Sequence, residues 1–260
     1  MSPTVYSQAE SAEVANAVGK YVLKLQDKAL KETDTFTIAL SGGSLGKVLK
    51  KALIDNKEIA AHIKWSKWEV YFSDERIVPL AHEDSNYGLF NEMVLKNLKG
   101  DDKPTVYTID ESLISGEDGQ VEGADEAKDN QIAEKYESQL SQKKNFDLIL
   151  LGCGPDGHTC SLFPGHALLS ERSKKIAYIK NSPKPPPRRI TFTFPVLEAA
   201  KSIAFVAEGA GKAPILKEIF GDKESKLPSK LVNDLQSGVE VSWFVDDSAI
   251  TGVDVLASKY

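Results

Sequence analysis

The chain has 260 residues, of which 41% are hydrophobic and 27% are charged, as in ordinary soluble globular proteins. Its formal net charge of −6 argues against a general nucleic-acid-binding surface, although an acidic protein can still carry a local basic pocket for an anionic small molecule. No apolar stretch approaches the roughly 20 residues that span a bilayer, and the polar N-terminus lacks a signal-peptide pattern. We therefore expect a cytoplasmic protein without a nucleic-acid or membrane partner.

Short β-branched or apolar runs alternate along the chain with segments of helical spacing. The spacing predicts helices at 7–30 and 45–54, from the capping segment 84–87 to about 98, and at 130–140 and 211–220. Strands are predicted at 35–40, 68–72, 105–109, 146–151, 176–179, 202–207 and 239–245. The acidic segment 111–129 is poor in apolar residues and is predicted to be a mobile surface loop.

This alternation predicts βαβ units and an α/β fold: a doubly wound, mostly parallel sheet with helices on both faces, in a modified Rossmann-like arrangement. No internal repeat or linker divides the sequence, so we expect residues 1–260 to form one domain. In open α/β sheets, ligands bind beyond the carboxyl ends of the strands. The loops that follow the predicted strands are therefore where a functional site is expected.

The most informative loop follows the apolar run 148–151 and has the sequence GCGPDGHTCSLFPG (152–165). Its glycines let the backbone bend sharply and approach a ligand closely. Between them stand Asp156 and His158, a carboxylate and an imidazole, and unperturbed histidine titrates near neutral pH. The combination predicts an active site, whereas a simple Asp-Gly turn beside a surface histidine is the plainer alternative.

Three further features bring donors and cations to the same sheet edge. The SGGS segment (41–44) joins a strand to a helix, where free backbone N–H groups favour phosphate, although a plain tight turn also fits. Arg76 follows a strand and suits phosphate or carboxylate, with a salt bridge to a nearby acid as the alternative. Lys212 lies at the start of a later predicted helix, where it could donate a hydrogen bond to a phosphate. A solvated surface lysine is the alternative.

A proline-rich arm at 181–191 carries three cations. Its prolines hold it extended and reduce the entropy lost when its tip engages a ligand. A polyproline docking peptide for a partner is the competing interpretation. That alternative is weakened because 190–194 resumes a strand-like run, which makes the arm an internal loop.

Metal and thiol chemistry find little support in the spacing of the candidate ligands. Cys153 and Cys160 are not spaced as CxxC and have no second pair, so free thiols are expected. Of four scattered histidines, His158 and His166 share a loop, at a spacing that does not indicate a metal site. We expect neither a metal nor a cofactor.

Four motifs occur in order: SGGS (41–44), SDERIVP (73–79) with SNY (85–87), LGCGPDGHTCSLFPG (151–165) and SPKPPPRRITFTFPVL (182–197). Together they resemble the 6-phosphogluconolactonases of the glucosamine/galactosamine-6-phosphate isomerase superfamily, over nearly the whole chain. The resemblance implies a catalytic His158, with Asp156 as the acid of the same loop. It also implies substrate contacts and a phosphate loop at these positions: Arg76, Arg189 and Lys212, with Arg188 a less secure neighbour, and Gly42, Gly43 and Ser44.

The activity that the resemblance implies is hydrolysis of 6-phospho-D-glucono-1,5-lactone to 6-phospho-D-gluconate in the oxidative pentose phosphate pathway. His158 would act as a metal-free general base on water, and the division of roles between Asp156 and Arg76 stays open. The partner expected is a small sugar-phosphate lactone. The sequence does not determine the oligomeric state, and a monomer is favoured.

Two alternatives follow from the same residues. Glucosamine-6-phosphate deaminases resemble this pattern, but they carry a carboxylate five positions after the histidine, where this chain has Phe163. A phenyl ring cannot transfer protons, so that residue favours the lactonase. A non-catalytic sugar-phosphate sensor is the second alternative, and the absence of a basic helix-turn-helix flank weighs against it.

Overall fold

A computed structural model of the chain describes residues 2–140 and 145–260. Within them the strands are β1 (Thr4–Gln8), β2 (Phe36–Leu40), β3 (Trp68–Phe72), β4 (Asp74–Arg76), β5 (Thr105–Val106), β6 (Leu148–Gly152), β7 (Ile176–Ile179), β8 (Arg189–Phe192), β9 (Ser202–Ala207), β10 (Glu240–Asp246) and β11 (Ala257–Ser258). The helices are α1 (Ser11–Glu32), α2 (Leu45–Lys50), α3 (Lys57–Ala60), α4 (Asn86–Met93), α5 (Glu126–Gln139), α6 (Phe194–Ala199), α7 (Ala213–Gly221) and α8 (Pro228–Asn233).

Among the described residues, eight strands form one sheet in the order β11-β1-β10-β9-β6-β2-β3-β5. Each neighbouring pair is parallel. Parallel strands need long crossover connections, which the helices supply. The predicted α/β fold with a doubly wound, mostly parallel sheet is therefore confirmed.

The sheet is buried on both faces because its strands are apolar on both sides. In β6, Leu148 and Leu150 pack into the core beneath α1, α2 and α4, whereas Ile149 and Leu151 pack into the core beneath α5 to α8. Successive side chains of a strand point to opposite faces, so a continuous apolar run feeds both cores. This burial fixes the carboxyl ends of the central strands, from which the loops of interest start.

A second, three-stranded antiparallel sheet in the order β4-β8-β7 was not predicted. The strand β4 has three residues, too few to give a periodic pattern in the sequence. Its pairing with β8 sets Arg76 opposite Arg189. Two cations that lie more than a hundred positions apart in the chain are thereby brought to the same place.

The start of the chain differs from the prediction. The helix expected from residue 7 begins at Ser11, and Thr4–Gln8 form β1. Only Val5 and Ser7 are buried in this strand, which pairs with β10 and β11. Such a short, half-polar strand carries little signal of its own. By contrast, the cap predicted at 84–87 is confirmed, because the Ser85 hydroxyl accepts from the Gly88 N–H at 3.0 Å.

The acidic segment 111–129 is tied to the fold by a fully buried arginine, and helix α5 begins within it, at Glu126. The guanidinium of Arg188 makes a bidentate ion pair with Asp129, with N–O distances of 2.9 and 2.7 Å. Its remaining nitrogen donates to three backbone carbonyls, those of Ser115, Glu117 and Gln120, at 2.8–3.2 Å. These contacts oppose the mobility that the composition predicts. Among the described helices, none is long and apolar enough to cross a membrane.

Candidate active site

Loops from the carboxyl ends of β2, β6 and β9, together with the strands β4 and β8, enclose a cleft of about 160 Å³. Seven of the eight predicted site residues line it: Gly42, Gly43, Ser44, Arg76, His158, Arg189 and Lys212. The eighth, Asp156, contacts His158. The structure thus brings together residues from four separate motifs.

The glycine loop between β2 and α2 needs its two glycines for different reasons. Gly43 has a φ of +68°, a conformation that side-chain-bearing residues rarely adopt. A Cβ on Gly42 would lie 1.9 Å from Oδ1 of Asn86. The backbone therefore runs close against α4. The loop residues before α2 line the cleft, and backbone N–H groups at the start of a helix favour anion binding.

His158 is held in place by backbone hydrogen bonds within its own loop, and its ring packs against Gly154. The N–H of Gly154 donates to the His158 carbonyl at 2.9 Å, and the Gly157 N–H donates to the Gly154 carbonyl at 2.9 Å. A Cβ on Gly154 would lie 2.0 Å from Nδ1 of the imidazole. The glycine at this position therefore makes room for the ring. On one face the ring also stacks against Phe163, with centroids 5.0 Å apart.

The His158 ring nitrogen Nδ1 lies 2.5 Å from Oδ1 of Asp156. Burial would raise the pKa of Asp156, but the hydrogen bond and charge of His158 and the hydrogen bond from Lys184 outweigh it and hold that pKa at about 2. A carboxylate cannot approach a nitrogen lone pair so closely, so Nδ1 carries the proton. Burial lowers the pKa of His158 despite the opposing effect of Asp156. At neutral pH the other ring nitrogen, Nε2, is therefore free to accept a proton.

Arg76 has donor capacity left over for a ligand. Its Nη1 donates to the Asp84 carbonyl at 2.8 Å, while its buried Nε has no partner among the described residues. Lys212, in the turn before α7, donates to the Cys153 carbonyl at 2.6 Å and also borders the cleft. An ammonium group has three hydrogens, so two remain for an anion.

The neighbouring residues Arg188 and Arg189 point to opposite sides. Arg188 is directed away from the cleft, into its ion pair with Asp129, so it is not a substrate contact. Arg189 lines the cleft but is 3% exposed, and its Nε and Nη2 donate to the carbonyls of 184–186 at 2.9–3.0 Å. Burial lowers the pKa of Arg189 to about 10, so it remains a cation. It holds the proline arm in place, and its Nη1 donates to the Ser161 hydroxyl at 3.4 Å and lies 3.9 Å from Oδ2 of Asp74 at the cleft.

Two site residues, Asp74 and Lys184, were missed from the sequence, as was the buried carboxyl of Glu75 between Asp74 and Arg76. Asp74 lines the cleft, where its Oδ2 accepts from the Ser161 hydroxyl at 2.7 Å. Burial raises the pKa of Glu75 to about 7, and this carboxyl accepts from the first N–H groups of α4. Lys184, on the proline arm, donates to Asp156 at 3.2 Å. In the sequence, the charged run 74–76 and the cations of the arm pointed to these residues. Neither feature shows how far the side chains lie from His158 in the fold.

Comparison with known proteins agrees with this geometry. The family model described as glucosamine-6-phosphate isomerases/6-phosphogluconolactonase matches residues 9–243, which is most of the chain. The chain belongs to this family. The resemblance inferred from the four motifs is therefore confirmed at the level of the family.

Individual relatives extend the match to nearly full length. "6-Phosphogluconolactonase 3" of Saccharomyces cerevisiae is 47% identical over 249 residues, which are 95% of this chain and 96% of the relative. A "probable 6-phosphogluconolactonase" of Schizosaccharomyces pombe is 42% identical over 254 residues, 96% of each chain. The crystal structure of 6-phosphogluconolactonase from Leishmania guyanensis has a TM-score of 0.82 at 23% identity, covering 98% of this chain and 100% of its own. At that identity the structural match supports the fold alone.

Proposed function

We propose that this protein is a lactone hydrolase that converts 6-phospho-D-glucono-1,5-lactone to 6-phospho-D-gluconate in the oxidative pentose phosphate pathway. The observation that carries the proposal is the neutral His158, fixed by Asp156, in a cleft bordered by three cations and a glycine loop. The 47% identity to a yeast protein named 6-phosphogluconolactonase supports the same activity. The substrate class is a small sugar-phosphate lactone.

The reaction begins when Nε2 of His158 accepts a proton from water as the water oxygen attacks the lactone carbonyl carbon, C1. The tetrahedral intermediate carries its negative charge on the former carbonyl oxygen. When the bond between C1 and the ring oxygen breaks, the imidazolium returns the proton to the departing ring oxygen. A general base placed in this way contributes about 10²–10⁴-fold to the rate. Asp156 orients the ring through Nδ1 and stabilises its charged form.

The cations divide the remaining tasks. Arg76, whose Nε has no partner in the part of the chain that the structure describes, stabilises the oxyanion, since preorganised donors in a water-poor site act most strongly on developing charge. Ser44 with the loop N–H groups, Arg189 and Lys212 hold the 6-phosphate. Each charge-assisted hydrogen bond of this kind contributes about 1.5–3 kcal/mol.

The position of Phe163 argues against an amino-sugar isomerase. The deaminase pattern requires a proton-transferring carboxylate there, whereas this chain stacks a phenyl ring on the catalytic imidazole. The ring restricts the motion of His158 and supplies no acid. The site therefore has a base for hydrolysis but lacks the group that ring opening needs.

Lactone hydrolysis can be followed directly by base consumption at constant pH with freshly prepared 6-phosphogluconolactone. We expect loss of the lactone well above the spontaneous rate when the protein is added. A matched reaction without protein gives the background. If the protein binds 6-phosphogluconate without accelerating lactone loss, it is a sugar-phosphate-binding protein and the proposed activity is wrong.

Changing Lys212 to methionine tests the phosphate assignment. Loss of one charge-assisted hydrogen bond to phosphate should raise KM for the phosphorylated lactone about 10- to 100-fold. Unphosphorylated gluconolactone should be hydrolysed at nearly the wild-type kcat/KM, because it lacks the group that Lys212 holds. The control is Lys217→Met, which removes an exposed lysine from the adjoining helix α7. Equal losses on both substrates would reject the assignment.

We further propose that residues 1–260 form one domain, because β1 and β11, from the two ends of the chain, pair with each other in the main sheet. A cytoplasmic location and a monomeric state remain predictions from the sequence.

A further inference from the structure

A lysine from the proline arm reaches the catalytic pair. The Nζ of Lys184 lies 3.2 Å from Oδ1 of Asp156 and 3.1 Å from Nδ1 of His158. Nδ1 already carries a proton and so cannot accept a hydrogen bond from the ammonium group. The ammonium group therefore donates its hydrogen bond to the Asp156 carboxylate and acts on the imidazole only through its positive charge. Oδ1 of Asp156 thus accepts from both neighbours.

The backbone of Lys184 is held in place from two sides. Its carbonyl accepts from the Ser182 hydroxyl at 2.8 Å and from Nη2 of Arg189 at 2.9 Å. Arg189 also donates hydrogen bonds to the next two carbonyls of the arm, and its backbone belongs to strand β8. The cleft-lining arginine therefore fixes the point from which the lysine extends. The contact with Asp156 depends on the arm being folded in this way.

We propose that Lys184 is a positioning residue for the lactonase reaction, acting through Asp156 and His158 rather than on the substrate; this role rests on the function proposed above. Its charge keeps the carboxylate in the ionised form that orients the ring. The same charge opposes a second positive charge on the imidazole, so His158 stays unprotonated between turnovers. When the imidazolium forms during the reaction, Lys184 also favours its return of the proton to the ring oxygen.

The other charged and titratable groups around His158 either contact it or line the same cleft. They are Asp156 and the thiols Cys153 and Cys160 on its own loop, Lys184 on the arm, Asp74 and Arg76 on β4, Arg189 on β8, and Lys212 before α7. The hydroxyl of Ser229 in α8 donates to the His158 carbonyl at 3.4 Å. Asp74 and Asp156 raise the pKa of the ring, and Lys184 lowers it. Removal of Lys184 therefore shifts this balance toward the imidazolium.

The role of Lys184 is tested by measuring the pH dependence of kcat/KM for the wild-type protein and for Lys184→Met. A unit charge at about 4 Å changes a protonation equilibrium about fivefold even at the dielectric constant of water. On the acid limb of the profile, where free His158 is protonated, we expect kcat/KM of the variant to fall at least about fivefold below wild type. On the alkaline plateau the two rates should converge, because His158 is unprotonated in both.

Two matched variants separate charge from packing. Lys184→Arg keeps the cation and should restore most of the acid limb. Lys180→Met removes a lysine from the position just before the arm, where it pairs with Glu126 at 2.8 Å, and should leave the profile unchanged. A uniform loss at all pH values in Lys184→Met, or no rescue by arginine, would show that the side chain only supports the arm.

The titration of His158 itself, followed by NMR, does not depend on activity. The signal is assigned with a His158→Gln variant, which leaves the three other histidines in place. We expect the ring to titrate at higher pH in Lys184→Met than in wild type. Coincident titration curves would overturn the proposal. If the protein fails to hydrolyse the lactone but the curves differ, the proposed function fails while the contact between lysine and histidine stands.

Discussion

Replacing His158 with alanine should lower kcat for the phosphorylated lactone by about 10²–10⁴-fold, the contribution of a positioned general base. KM should change little, because the phosphate is held by groups on other loops. The Nδ1 of His158 is hydrogen-bonded to Asp156, so Nε2 is the ring nitrogen that can accept a proton from water. Stopped-flow or constant-pH titration on fresh substrate measures both constants, provided that the spontaneous rate is subtracted.

The control for this experiment is His166→Ala, which removes another imidazole close by in the chain. That ring contacts Asn181 through Nε2 at 2.9 Å and does not border the cleft. Its loss should leave kcat close to that of wild type, because the ring lies outside the cleft. Near-normal turnover by His158→Ala would exclude the base role and with it the proposed mechanism.

Replacing Arg188 with methionine should reduce the free energy of unfolding by about 3–5 kcal/mol, the loss observed when one partner of a buried ion pair is removed. The side chains of Arg188 and Asp129 are both fully buried, so the remaining carboxylate would be left without its cation. The carbonyls of the acidic segment would lose their donors as well. Denaturant unfolding with linear extrapolation measures the change.

A double variant, Arg188→Met with Asp129→Asn, provides the control for this effect. Because it leaves neither charge buried, it should be less destabilised than the sum of the two single variants. Lys in place of Arg188 keeps the charge but not the bidentate geometry, and should give an intermediate loss if Arg188→Met does not fold. A change below about 1 kcal/mol in Arg188→Met would contradict the role assigned to the pair.

Much of the site could be predicted because its parts are local. The Gly-rich loop with Asp156 and His158 follows a buried apolar strand, and residues two positions apart in one loop remain close in any fold. The SGGS segment needs a positive φ at Gly43, which glycine adopts without strain. Such features depend on a few consecutive residues, so they can be identified without knowledge of the distant contacts.

The contacts between distant segments could not be predicted in the same way. Lys184 and Asp74 each lie in a motif that was noticed, yet nothing local shows that the first reaches His158 or that the second faces the cleft. The pairing of β4 with β8 brings those segments together, and β4 is three residues long. A short antiparallel strand leaves no measurable periodicity, so its partner is decided by the packing around it.

The sequence by itself determined the class of fold, the order of most strands and helices, and the residue types available at the loops, because periodicity and backbone preference are properties of short segments. The family resemblance implied that Arg189 rather than Arg188 contacts the substrate, but only the tertiary structure supplies the physical reason. Successive side chains of an extended chain point to opposite sides. The register of β8 against β4 places Arg189 opposite Arg76 at the cleft, and Arg188, the residue before β8, pairs with the buried Asp129. That choice depends on long-range pairing.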